Sequence, residues 1–295
     1  MRIAAVLLLL LVIPQSAAAW GFDAHKFIAE QMIALLPPEL QPLFQHRKTY
    51  IIERSIDPDL WRTVGWETED PHHFLDMDYF GKYPFAELPR AYDEAVQKYG
   101  KNVIHEQGLL PWRTQEIYGH VRRGFEGLTR QPPSTYAQDD IVLFSAILAH
   151  YVGDGHVPLH SVINYDGQRT GQNGVHGRWE GELFERYRSR LTIAPAPAQP
   201  VTDPRAFMFD VLLASNRLSD GVLEADRKAV VGREFYDDGY FEAFAKDQLS
   251  VVERRLNDAI TAVASLVIGA WEQAGRPAVP VERTRTARPI TRPRG

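Results

Sequence analysis

Apolar residues recur at three- and four-residue steps along most of the chain, and strict alternation is almost absent. This pattern predicts helices over 22–36, 41–54, 87–99, 111–130, 135–153, 178–190, 204–222 and 239–274. The longest, Gly239 to Ala274, sets Phe241, Phe244, Leu249, Val252, Leu256, Ile260 and Trp271 in a stripe of the kind that faces a core. Boundary chemistry agrees at several ends. Thr135 followed by Gln138 reads as a capping box, Asp203 before Pro204 as an N-cap with an N1 proline, and Gly275 ahead of Pro277 as a stop. The expected class is all-α, a single-domain multi-helix bundle over 20–276, and no repeat of solenoid period is present.

The ends of the chain read differently. Arg2, the apolar run Ile3 to Ile13, Pro14 and Ala17-Ala18-Ala19 have the layout of a signal peptide over 1–19, with cleavage before Trp20. That run is too short to span a bilayer, and no cysteine follows it to make a lipobox, so the expectation is a secreted or periplasmic protein. At the other end, 277–295 is rich in Arg and Pro and reads as a disordered tail.

Composition narrows the chemistry. With 295 residues, 44% of them hydrophobic, the chain can bury a sizeable core. It has no cysteine, so an exported chain has no disulfide here, and any metal site must be built from His, Asp and Glu. The formal net charge of −5, or −6 without Arg2, leaves no electrostatic footprint for duplex DNA.

The strongest local feature is His150-Tyr-Val-Gly-Asp154-Gly-His156-Val-Pro-Leu-His160. His150 and Asp154, four apart at the end of a predicted helix, emerge on one face and can share a metal. Pro158 breaks the helix, and a turn can return His160 to the same place. His176 and Glu180 repeat the spacing at the start of another helix, beyond the Gly-rich loop Asn164 to Gly177. Pairs of this kind on neighbouring helices are how bundles assemble multinuclear metal centres. Upstream, cleavage before Trp20 exposes an amine that can chelate zinc together with its own carbonyl, with His25 as a further ligand. Asp57 and Asp59 lie in a Pro-interrupted acidic turn ahead of Arg62. Adjacent His72 and His73 point differently, so one of them at most is a ligand. His46, His105 and His120 read as ordinary residues, and His156 stays open between a supporting and a purely structural place.

These residues, in this order, resemble the zinc-dependent phospholipase C and single-strand-specific nuclease superfamily, over nearly the whole of 20–276. The resemblance implies an α-helical fold with three Zn2+ ions per chain. It implies that Asp59, His73, His150 and Asp154 surround one zinc and that His160, His176 and Glu180 hold a second. Trp20, His25 and the other oxygen of Asp154 hold a third. Asp59 is preferred to Asp57 for its place three residues before Arg62, and His73 to His72 because it precedes Phe74. Trp20 and His25 are spaced as in the nucleases, whereas Glu180 and the short His160 to His176 interval look more like phospholipase C.

The activity so implied is hydrolysis of a phosphodiester by a metal-activated water, with Asp59 orienting or deprotonating that water and Arg62 stabilising phosphoryl charge. A phospholipase C-like substrate is slightly favoured. The alternative within the superfamily is a single-strand-specific endonuclease or 3′-nucleotidase, and that of another class is a non-catalytic exported zinc-binding protein.

Overall fold

The computed structural model describes residues 21–131 and 134–282, all of it helix and connecting loop, with no strand among the described residues. The chain begins with α1 (Phe22–Gln31), which tightens into a 3-10 turn over Met32–Leu35. Next come α2 (Gln41–His46), α3 (Lys48–Arg54) and α4 (Asp57–Thr63). Two 3-10 segments, Glu67–His73 and Met77–Phe80, lead to α5 (Tyr92–Tyr99) and α6 (Lys101–Gln107). The long α7 (Leu110–Thr129) and α8 (Ala137–Gly155) follow. Beyond a 3-10 turn at Pro158–Ser161, α9 (Val175–Gly177) runs through a π turn (Arg178–Glu182) into α10 (Leu183–Tyr187). The last two helices are α11 (Pro204–Ala229) and α12 (Asp238–Gln273).

The all-helical class holds, with instructive departures. Residues 87–91 are not helical, because Pro89 restricts the residue before it and the helix starts only at Tyr92. The 41–54 segment breaks at Arg47 into α2 and α3. Pro58, read as interrupting an acidic turn, instead occupies the first turn of α4, where its missing N–H costs nothing. The capping box is absent: α8 is preceded by Tyr136 without a side-chain cap, and Gln138 Nε2 donates to the carbonyl of Glu282 at 3.0 Å. Asp203 does cap α11, accepting from Ala206 N at 3.1 Å, and Gly275 follows α12 at φ +85°. α11 runs past 222 to Ala229 because Val222, Leu223, Ala225 and Asp226 remain buried.

α8 is the axis of the packing. From Ile141 onward it is buried on nearly every side, by α7, α11 and α12 and by α1 and α3. A helix apolar all round belongs at the centre of a domain. Its last turn therefore delivers His150 and Asp154 into the interior. Gly153 lets α1 approach there, since a Cβ on it would meet His25 Nδ1 at 3.0 Å. Buried Arg255 on α12 secures the exit from α8, donating to the carbonyl of His156 at 3.0 Å and to Ser215 Oγ at 2.7 Å. No helix among the described residues is long and apolar enough to cross a membrane. Trp20 and residues 1–19 lie outside the described residues. Of the expected tail only 277–282 is described, and there Trp271 Nε1 donates to the carbonyl of Pro277 at 2.9 Å.

The chain just after His73 is pinned by a close backbone approach. Leu75 N donates to His160 O at 3.0 Å, Asp76 N to Gln107 O at 2.7 Å, and Gly108, at φ +106°, sits against Phe74. A Cβ on Gly108 would meet Phe74 O at 2.1 Å. Gly108→Ala should therefore destabilise the chain by about 1–3 kcal/mol or more through strain alone, read as a lowered denaturant midpoint at unchanged slope.

Candidate metal centre

Five parts of the chain converge on the end of α8: α1 with His25, α4 with Asp59, the 3-10 segment with His73, the turn after α8 with His160, and the α9–π unit with His176 and Glu180. Three groups of buried side chains result: His25, His150 and Asp154; Asp59, His73 and His150; and His160, His176 and Glu180. Within each group the donor atoms lie within 4.8 Å of one another.

Asp154 joins them. Its Oδ2 is 2.9 Å from His73 Nδ1 and 3.4 Å from His150 Nε2, while Oδ1 is 3.4 Å from His25 Nε2 and 3.9 Å from His160 Nδ1. Asp59 Oδ1 stands 3.8 Å from both His73 Nδ1 and His150 Nε2. In the third group His176 Nε2 and Glu180 Oε2 are 2.9 Å apart, and His160 Nε2 is 3.6 Å from the same oxygen. Glu180 is placed by the π turn, a local widening of the helix that often marks a functional position.

Ring protonation can be read from the carbonyl partners, because a carbonyl only accepts. His150 Nδ1–H donates to Ser55 O at 2.9 Å, and His160 Nδ1–H donates to His73 O at 2.5 Å. Burial, aided by His25 and His73, holds the pKa of His150 well below the ordinary histidine value. Its neutral ring therefore turns a lone pair on Nε2 into the cluster. His160, its Nδ1–H likewise engaged by a carbonyl, turns Nε2 toward Glu180 Oε2. Burial likewise pushes His73 well down. The carboxylates respond in opposite directions. Burial drives Asp154 well above the usual range, and burial with Asp154 nearby pushes Asp59 up to about 7. Glu180 is also buried, yet His176 and His160 outweigh that and hold it down at about 2.

The donor set fits a metal on a further observation. Asp59 Oδ2, Asp154 Oδ1, His176 Nδ1 and Glu180 Oε1 are buried without a hydrogen-bond partner among the described residues. Leaving one such group unsatisfied costs about 1–3 kcal/mol, and native interiors rarely accept several together. Imidazole and carboxylate donors converging without cysteine suit a divalent ion such as zinc.

The geometry separates the adjacent alternatives. Asp57 points away to Arg54, 3.0 Å distant, whereas Asp59 faces the histidines. His72 lies outside, 3.4 Å from Glu69, whereas His73 is buried in the cluster. Arg62 reaches Asp59 Oδ1 from the rim at 3.3 Å and Asp70 at 2.5 Å. His156 is structural: its Nδ1–H donates to Val152 O at 2.7 Å. His46 is exposed, and His105 and His120 are half-buried away from the cluster. Sequence reading missed the supports beneath the cluster. Asp226 on α11 accepts from Arg178 at 3.0 Å, from Gln172 at 2.7 Å and from Tyr240, tying the loop before His176 and the π turn to α11 and α12. These partners are 48, 54 and 14 residues from Asp226, too far apart for any local spacing to reveal them.

Proton and metal compete for this site. Asp59 has an ordinary pKa of 3.8 and a folded value of about 7, so between those values the folded metal-free chain keeps a proton that the unfolded chain has lost. Raising the pH across that window destabilises the metal-free fold. Zinc must displace the same proton, so its apparent affinity should weaken about tenfold per pH unit below 7 for each proton released. Zinc titrations at pH 5.5, 6.5 and 7.5 check this, and a flat profile contradicts it. Asp154→Asn should lose more than one metal equivalent at once, because both oxygens face donor groups; elemental analysis showing full retention would falsify a shared carboxylate. No protein-family model matches the chain, and no curated protein matches it either.

Proposed function

We propose that the chain is a hydrolase of phosphodiesters working at a centre of three zinc ions joined by Asp154. The observation that carries the reading is the meeting of three buried donor groups around the Asp154 carboxylate, with several of their donor atoms lacking a hydrogen-bond partner among the described residues. Asp59 Oδ1, His73 Nδ1, His150 Nε2 and Asp154 Oδ2 would hold one ion. His160 Nε2, His176 Nε2 and Glu180 would hold a second. A third would take His25 Nε2 and Asp154 Oδ1, completed by the amine and carbonyl of Trp20. When bound, zinc supplies Lewis acidity, lowering the pKa of a water to about 7 and drawing charge from phosphoryl oxygens.

The chain's own groups do the rest. Asp59 divides its oxygens: Oδ1 faces the two histidines and Arg62, while the unpartnered Oδ2 is available to orient the attacking water and take its proton. The water oxygen bonds to phosphorus as the ester P–O bond breaks, and the leaving oxygen takes up the proton that Asp59 accepted from the water. Arg62, tethered to Asp59 and Asp70, presents the remaining guanidinium N–H to the phosphoryl oxygens. A phospholipid diester is the favoured substrate. It is supported by Glu180 in the third group and by the apolar surface of α4 and the turn after it, where Leu60, Val64 and Trp66 are 38%, 70% and 57% exposed. The tilted pair Trp61 and Trp66, 5.6 Å between centroids, supports the second reading, a single-stranded nucleic acid whose bases stack there.

The first test is zinc content and hydrolysis of bis-p-nitrophenyl phosphate, on chain beginning at Trp20 and on chain with one extra N-terminal methionine. The expected result is about three zinc ions and activity in the first form, with roughly one ion lost in the second. Arg62→Ala should keep its zinc and lose about 10²–10³-fold in kcat. A chain that binds zinc and cleaves no diester supports a purely binding role instead. Phosphatidylcholine, single-stranded DNA, RNA and 3′-nucleotides then separate the two substrate readings.

A further inference from the structure

Glu69 has no place in the chemistry above, yet it is 5% exposed and sits one turn before His73 on the same 3-10 segment. Its Oε1 accepts from the hydroxyl of Tyr151 and stands 3.9 Å from His73 Nε2. Its Oε2 lies 3.7 Å from Arg113 Nη2 and 3.4 Å from His72 Nδ1. Arg113 Nε in turn donates to the Tyr151 hydroxyl at 3.2 Å, so groups from α7 and α8 fix this carboxylate from behind.

The His73 ring is bracketed by two unlike surroundings. Nδ1 faces Asp154 at 2.9 Å, His150 Nε2 at 3.1 Å and Asp59 at 3.8 Å. Nε2, on the far side, is buried without a hydrogen-bond partner among the described residues, and the Glu69 carboxylate stands before it at 3.9 Å. A neutral imidazole carries one proton. If Nδ1 gives its lone pair to an ion, the proton must be on Nε2, and an anion at that edge makes the tautomer favourable and Nδ1 more basic.

We infer that Glu69 is a positioning residue for the metal centre: it holds His73 in the Nε2–H tautomer, with Nδ1 directed at the ion shared by Asp59, His150 and Asp154. The role rests on the metal reading of the cluster and is independent of the substrate. Burying this carboxylate is offset by Tyr151 and Arg113, both of which it engages without entering the cluster.

The test measures zinc affinity by chelator competition on the purified chain, with Zn2+ alone as the probe, and the ring nitrogens of His73 by 15N NMR in the zinc-loaded form. Glu69→Gln should weaken one zinc equivalent about 10- to 100-fold, and Glu69→Asp, which keeps the charge, should recover part of the loss. In a His73→Asn background Glu69→Gln should add nothing further, because the effect passes through that ring. The 15N shifts should show Nε2 protonated and Nδ1 metallated in the unsubstituted chain, a readout that does not depend on any variant folding. Unchanged zinc affinity in Glu69→Gln, an equal loss in the His73→Asn background, or an unprotonated Nε2 overturns the inference. Zinc binding without diester cleavage removes the proposed activity and leaves Glu69's role standing; an unsubstituted chain that takes up no zinc removes both.

Discussion

A fully buried carboxylate at the end of the central helix, Asp154, sets the terms for everything around it. Without a counter-charge such a group is costly, since desolvation of an ion in a protein interior amounts to several kcal/mol even after relaxation. The metal-free chain answers in two ways: the proton stays on the carboxyl far above the usual range, and the rings of His73 and His150 stay neutral. Both answers leave lone pairs facing one another across short gaps. A dication reverses this in a single step, because neutral imidazoles and ionised carboxylates are the forms it binds. The packing of α1, α3, α7, α11 and α12 around α8 keeps the cluster from relaxing apart.

The other buried polar groups contrast with the cluster. Asp226 is as deeply buried as the cluster, yet it accepts from Arg178, Gln172 and Tyr240. Arg255 spends its guanidinium on the carbonyls of His156 and Val211, on Ser215 and on Asp258. Asp226 and Arg255 are thus hydrogen-bonded on several sides, and such networks rigidify. Dissatisfaction is concentrated where His and carboxylate donors meet. Single atoms elsewhere, such as Arg90 Nη1 and Ser145 Oγ, also lack a hydrogen-bond partner among the described residues, but most such atoms belong to the His and carboxylate side chains of the cluster, an arrangement suited to a ligand.

Much of this was readable along the chain. The four-residue spacings of His150 with Asp154 and of His176 with Glu180 are local facts, and so is the cap at Asp203. Other features were legible only as a choice between neighbours: Asp57 or Asp59 and His72 or His73 differ by which face a short helix turns inward, and tertiary packing decides that. α4 was misread because a proline serves equally as a breaker and as a first-turn residue, and only its neighbours tell which. The capping box failed because Gln138 found a partner 144 residues away, in the segment beyond α12. Glu69 carries no signature at all, since its meaning comes from Tyr151 and His73 meeting in space.

The three donor groups are not equally complete. His150 has one nitrogen to give, since Nδ1–H is committed to the carbonyl of Ser55. It therefore cannot complete both groups to which it belongs. If it serves the ion beside Asp59 and His73, the remaining group keeps only His25 and one oxygen of Asp154, two donors where zinc takes three or four. The His160, His176 and Glu180 group lacks no such member. The position at His25 is accordingly the one that depends on donors from elsewhere. A chain end brought to that place would make metal binding there sensitive to how the N-terminus is formed, while the other two positions depend on the folded bundle alone.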